Sequence, residues 1–149
     1  AAGFSLTLAC DLVVAAQNSV FAMSYSSVGL SPVGGATWSL MRALPRATAL
    51  QLLMCGERIG AERLQQLGVI NTVSATGEAL TDALALCERL NARAPNALAS
   101  IKELANDAPT VPLHTQLGAE RDHFVRNLHH ANAGEGIDAF MAKRPPAYR

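Results

Sequence analysis

Acidic side chains are nearly absent from the first third of the chain. Asp11 is the only carboxylate between Ala1 and Gly56. A pair of carboxylates dividing acid and base duties cannot be drawn from that stretch. Cysteine is also scarce. Cys10, Cys55 and Cys87 are an odd number with no close pair. That argues against a disulfide framework or a cysteine zinc site, and it predicts a reducing, cytoplasmic setting. No apolar run reaches the ~18 residues of a spanning helix, and no signal-peptide pattern is present. The H-E-x-x-H, G-x-S-x-G, P-loop and G-x-G-x-x-G patterns are all missing, so a metalloprotease, an acyl-transfer triad and a phosphate loop are not indicated. His114, His123, His129 and His130 fall in one region. Adjacent His129 and His130 would point about a third of a turn apart on a helix, which is poor chelating geometry, so no metal is expected. Twelve basic residues balance twelve acidic ones. Net charge near zero gives no general attraction to nucleic acid or to a membrane surface.

What is present is apolar. Half of the 149 residues are hydrophobic and 16% are charged, a globular composition long enough to bury a core. The organising stretch is Ala1 to Thr37. A small-residue turn, Ala1-Ala2-Gly3, runs into an apolar segment, Phe4 to Cys10, and Gly3 to Cys10 reads as a short buried helix. Such a turn feeding a helix lets backbone N–H groups approach an oxyanion or phosphate closely. Leu12 to Ala16 and Val20 to Met23 read as strands, and Ser26 to Gly35 as a Gly/Ser/Pro loop. Helices follow over Ala36 to Ala43, after Pro45 and from Ala61 to Leu67, with Gly56 and Gly68 as stops. Val69 to Val73 reads as a strand. Thr76 is the expected cap of a long helix carrying Leu80, Leu84 and Cys87. Pro95 opens another helix. Leu113, Leu117, Phe124 and Leu128 form an apolar stripe on the next. Glu135 to Ala142 reads as a last short helix.

Three phrases carry a resemblance. AAGFSLTLACDLVVAA, FAMSYSSVGLSPVGGA and ALQLLMCGERIGAERLQQLGVINTV, with EGIDAFMAKRPPAY near the end, resemble the crotonase family of enoyl-CoA hydratases and isomerases. The likeness runs in order along the whole chain. It implies an α/β, ClpP/crotonase-like fold. Residues 1–92 would be the later part of the family's core, and residues 93–149 a helical, trimer-forming region. The chain opens without Met and inside a motif, so the family's N-terminal two-fifths is expected to lie outside it. Alone, these residues would expose open sheet edges and are expected to aggregate.

The resemblance also implies a chemistry. The backbone N–H of Ala2 matches one of two donors that hold a thioester oxygen and stabilise an enolate. The family's two hydratase glutamates match Ser5 and Tyr25. The carboxylate slot of isomerases, in a phrase similar to S-P-D/E-G-G, matches Val33, next to Gly34. All three slots lack an acid. A phenol or an alkyl hydroxyl is a poor general base near neutral pH, and Val33 can move no proton. Phe124 and Lys143 match positions that contact the adenine and phosphates of coenzyme A, as a stacking face and a point charge. Each residue also has a plain structural reading. The Ala1–Gly3 turn could serve close helix packing. Ser5 and Tyr25 could be polar neighbours of a pocket, Phe124 a core residue, and Lys143 a solvated tail residue. Asp11 is read as satisfying local backbone donors.

The expectation is an acyl-CoA thioester enzyme, closer to isomerases than to two-glutamate hydratases. It would need no cofactor beyond the coenzyme A of its substrate, and would work as a homotrimer or a dimer of trimers. One alternative is a CoA-thioester binding or scaffold subunit that has lost catalysis. Another, setting the resemblance aside, is a helical interaction module, against which the apolar strands speak.

Overall fold

The computed structural model describes all residues, Ala1–Arg149, as a mixed α/β chain in two compact units, Ala1–Ala85 and Leu86–Arg149. In the first unit, α1 (Ala2–Leu8) leads to β1 (Val14–Ala16) and β2 (Val20–Phe21). A 3-10 turn, Ser26–Val28, is followed by α2 (Ala36–Ala43) and α3 (Arg46–Cys55), then β3 (Ile59–Gly60), α4 (Ala61–Gln66) and β4 (Thr72–Ser74). β1 pairs in parallel with β4, Val14 opposite Thr72 and Ala16 opposite Ser74. The Asn71 side chain starts the ladder by accepting from Val13 N–H at 2.7 Å. β2 and β3 pair antiparallel, Phe21 opposite Ile59.

The core of this unit is apolar. Met23, Leu40 and Leu64 are fully buried, with Phe4, Leu44, Leu52, Leu53 and Ile70 around them. Phe4 and Phe21 meet with ring centres 5.1 Å apart and planes tilted at 55°, a favourable arrangement for two quadrupoles. α1 differs from expectation. Phe4 and Ser5 are its buried residues, and Leu6 is 71% exposed. The helix lies half in and half out, because one stripe of a short helix meets the core. The strands are also shorter than the apolar runs. Burial continues through Met23 after pairing stops at Phe21, and apolar periodicity alone cannot mark that end. Gly56 ends α3 at φ +63°, where a side chain would press on the Met23 carbonyl at 3.4 Å. This glycine packs the end of α3 on the segment that leads into the 3-10 turn.

The second unit is helical. α5 (Ala79–Asn91) runs into it, followed by α6 (Pro95–Asp107), α7 (Leu113–Leu128) and α8 (Ala131–Met141). Thr76 does not directly precede α5. It sits in the turn before, with its hydroxyl accepting from Gln17 Nε2 at 3.4 Å. α5 buries none of its residues. α8 begins earlier than expected, because His130 Nδ1 accepts from Asn132 N–H at 3.1 Å and caps it. An amide network binds this unit. Asn96 donates to Asn127 at 2.8 Å, Asn127 to Ser100 at 2.9 Å, and Asn132 to Asn96 at 2.8 Å. No helix of the chain is long and apolar enough to cross a membrane.

Candidate active site

The first unit brings three of the sequence-derived residues together. Ala2 is the first residue of α1, and the helix hydrogen bonds begin one residue earlier. The Ala1 carbonyl accepts from Phe4 N–H at 3.0 Å and Ser5 N–H at 3.2 Å. The Ala2 N–H therefore lies ahead of the ladder and points out of the helix end. Ser5 follows one turn later on the same side. It is 4% exposed, and its hydroxyl has no hydrogen-bond partner in the chain.

Gly34 packs directly against Ser5. A Cβ on Gly34 would stand 3.1 Å from Ser5 Cβ and 3.7 Å from Ser5 Oγ. Gly34 and Gly35 both have left-handed backbone, at φ +68° and +77°. Gly35 caps α2, and no side chain caps that helix end. The contact is the part that sequence reading missed. A Gly-Gly pair before a helix signals a turn, but not which side chain the missing Cβ admits.

Tyr25 opens the 3-10 turn. Its carbonyl accepts from Val28 N–H at 3.1 Å and Leu30 N–H at 3.0 Å. Its ring packs on the apolar core, and its phenol oxygen is buried without a partner. An unpaired buried hydroxyl costs on the order of 1–3 kcal/mol, and the first unit holds three, those of Ser5, Tyr25 and Ser74. Val33 is 58% exposed. None of Ser5, Tyr25 and Val33 carries a carboxylate, so their side chains bring no negative charge to this turn.

The other two sequence-derived residues lie in the second unit, each described there by itself. Phe124 is 68% exposed, so it is not the core residue of the alternative reading. It borders an open groove of about 510 Å³ with Leu128, Ile137, Phe140 and Tyr148. Asn96, Asn127 and Asn132 also line that groove. Lys143 is exposed, follows α8 with φ +51°, and donates its N–H to the Phe140 carbonyl at 3.2 Å. It is not part of the groove wall.

The tail after α8 is fastened to that helix. Arg144 grips the Glu135 carboxylate with two hydrogen bonds, 2.7 and 3.0 Å, and the Ala147 N–H adds a third at 2.7 Å. The guanidinium first, and then the backbone donor, bring the Glu135 carboxyl down to about 2 from an ordinary 4.5. Asn132 holds the Arg149 backbone from both sides, donating to its carbonyl at 2.9 Å and accepting from its N–H at 3.1 Å.

Comparison with known proteins agrees along the full length. The family model described as enoyl-CoA hydratase/isomerase matches residues 1–149. A 1,2-epoxyphenylacetyl-CoA isomerase of Escherichia coli is 38% identical over 148 residues, covering 99% of this chain and 56% of that protein. A carnitinyl-CoA dehydratase of Escherichia coli is 33% identical over 151 residues, covering 99% of this chain and 58% of that protein. The crystal structure of an enoyl-CoA hydratase from Polaromonas sp. JS666 superposes with a TM-score of 0.97 at 66% identity, covering 99% of this chain and 58% of that one. The chain thus spans somewhat over half the length of these relatives. On the family match and the shared fold, it belongs to the enoyl-CoA hydratase/isomerase, or crotonase, family.

Proposed function

We propose that this chain is part of an enzyme acting on acyl-CoA thioesters. The Ala2 N–H serves as one of two donors to the thioester oxygen, and the second comes from outside these residues. Together they hold the enolate that forms when a proton leaves the carbon next to the thioester. One such donor is worth on the order of 3 kcal/mol in comparable enzymes. The reaction is isomerase-like, or a related enolate step, and not two-glutamate hydration. The observation that carries this reading is the cluster at the start of α1: a free-pointing N–H at Ala2, the unpaired Ser5 hydroxyl one turn on, and Gly34 packed against it, with no carboxylate on Ser5, Tyr25 or Val33.

The remaining roles follow from that reading. Tyr25 orients the substrate or donates a hydrogen bond, Ser5 positions water or a substrate oxygen, and the Ser24–Val33 segment lines the acyl pocket. Phe124 stacks on the adenine of coenzyme A and Lys143 meets its phosphates. The base is Tyr25, a bound water or a group elsewhere in the protein. No cofactor acts beyond the coenzyme A of the substrate, and the protein works in the cytoplasm as a homotrimer or a dimer of trimers. The exposed apolar side chains of α7 and α8 support the assembly. The same missing acids favour a second reading, a CoA-thioester binding subunit without turnover.

Absorbance of the conjugated thioester separates these readings in the full-length protein. A gain with a 3-enoyl-CoA supports the isomerase. A loss with crotonyl-CoA means hydration proceeds despite Ser5 and Tyr25 at the usual acid slots, and overturns the isomerase preference. Binding without any change supports the second reading or a more specialised substrate.

A further inference from the structure

We infer that Ser5 and the N-terminal end of α2 form an anion-accepting cradle, which selects short acyl groups that carry their own carboxylate. The inference rests on the acyl-CoA reading above and narrows its substrate class.

Two features lie side by side here, joined by the packing of Gly34 on Ser5. The first is the helix end. α2 runs from Ala36 to Ala43, Gly35 precedes it, and no side chain caps it. Its first N–H groups have no partner within the helix and carry the positive end of the helix dipole. The second is the Ser5 hydroxyl, which is buried, has no partner, and stands 3.7 Å from the place where a Gly34 side chain would be. A hydroxyl can rotate to donate to an arriving oxygen. The backbone around the turn is bare, since nothing lies within 4 Å of a Cβ built on Gly35.

Charge sets the sign of the selection. Acids at Ser5, Tyr25 and Val33 would repel a carboxylate; these three residues do not. The spacing sets the length. Ser5 lies one turn beyond Ala2 on α1, ~4.5 Å of axial rise, so an acyl group that spans from a thioester oxygen at Ala2 to Ser5 is a short one, such as succinyl. The substrate then brings the negative charge that the protein lacks at these positions.

Calorimetric binding to the full-length protein tests this, with succinyl-CoA against 4-methylpentanoyl-CoA, a neutral chain of nearly the same shape. We expect succinyl-CoA to bind about tenfold more tightly, the scale of one or two charge-assisted hydrogen bonds. Ser5→Ala should remove most of that preference, chiefly by weakening succinyl-CoA binding. Because the Ser5 hydroxyl has no partner, Ser5→Ala loses no hydrogen bond on folding. Ser5→Glu should reverse the preference. Equal binding of the two esters by the unaltered protein overturns the cradle and leaves the acyl-CoA reading standing, as does a preference that survives Ser5→Ala. If neither ester binds, the acyl-CoA reading fails and the cradle falls with it.

Discussion

The two units are held together by opposite means. In Ala1–Ala85 the buried residues are mostly apolar, and Met23, Leu40 and Leu64 have no exposure to speak of. In Leu86–Arg149 they are mostly polar. Ser100, His123 and Asn132 are inside with Ala139, while Ile101, Leu113, Phe124, Ile137 and Phe140 stand outside. The first unit spends its apolar side chains on its own core, where burying one contributes about 1.5–3 kcal/mol. The second is joined by side-chain hydrogen bonds worth nearer 1 kcal/mol each, and its apolar surface remains available to something else. One chain thus contains a unit built by burial and a unit built to present a face.

The contrast predicts where substitutions hurt. Leu40→Ala should be the most damaging, costing about 2–5 kcal/mol, since it empties space that closely packed neighbours fill only in part. Denaturant titration of the full-length protein would show it. A loss under 1 kcal/mol would mean the first unit is not built by burial. Asn132→Ala comes next, at roughly 1–3 kcal/mol, because it strands Asn96 Oδ1 and both backbone groups of Arg149. Amide exchange at Arg149 should rise in that variant. An unchanged rate would mean the amide network does not hold the tail.

These differences also mark how far the sequence could be read. α2 matched its expected bounds, because the Gly34-Gly35 pair and Pro45 bracket it with residues that act locally. The pairing of β1 with β4 was not legible, since its two partners lie far apart in the chain and only tertiary folding joins them. At the candidate site, Ala2, Ser5, Tyr25 and Val33 were reached through the family phrases, while the closeness of Ser5 to Gly34 required coordinates. In the second unit, periodicity found the stripe on α7 but gave it two possible uses, core or contact. Hydrophobic spacing reports which side chains share a face and is silent about what covers that face. The asparagine network left no periodic trace, because its members lie on three different helices.

Acid should loosen the second unit before it touches the first. The Glu135 carboxyl is depressed from 4.5 to about 2, chiefly by its hydrogen bonds to Arg144. A lowered carboxyl favours the folded tail above its unfolded value, and that contribution is lost as pH falls from about 4.5 toward 2. Protection of the Ala147 amide, which donates to Glu135, measured against its intrinsic exchange at each pH, should therefore fall across that window. Glu135→Gln should flatten the response. A tail that stays protected well below pH 2, where Glu135 is protonated, would show that Asn132 fastens it without Glu135.

Phe124→Ala should have the smallest effect on folding, and for that reason it sharpens the contrast most. A phenylalanine in a core costs about 3–5 kcal/mol to truncate, whereas a surface change stays within about 0.5 kcal/mol. Phe124 projects from α7 into an open groove with most of its ring exposed, so the lower figure applies wherever nothing else covers that face. Stability measured against protein concentration tells what the face is for. A loss that appears only at high concentration means a second copy covers Phe124. Unchanged stability with weakened acyl-CoA binding means the ring meets the adenine. A full core-sized loss at every concentration would place Phe124 inside the fold, and the second unit would then be built by burial like the first.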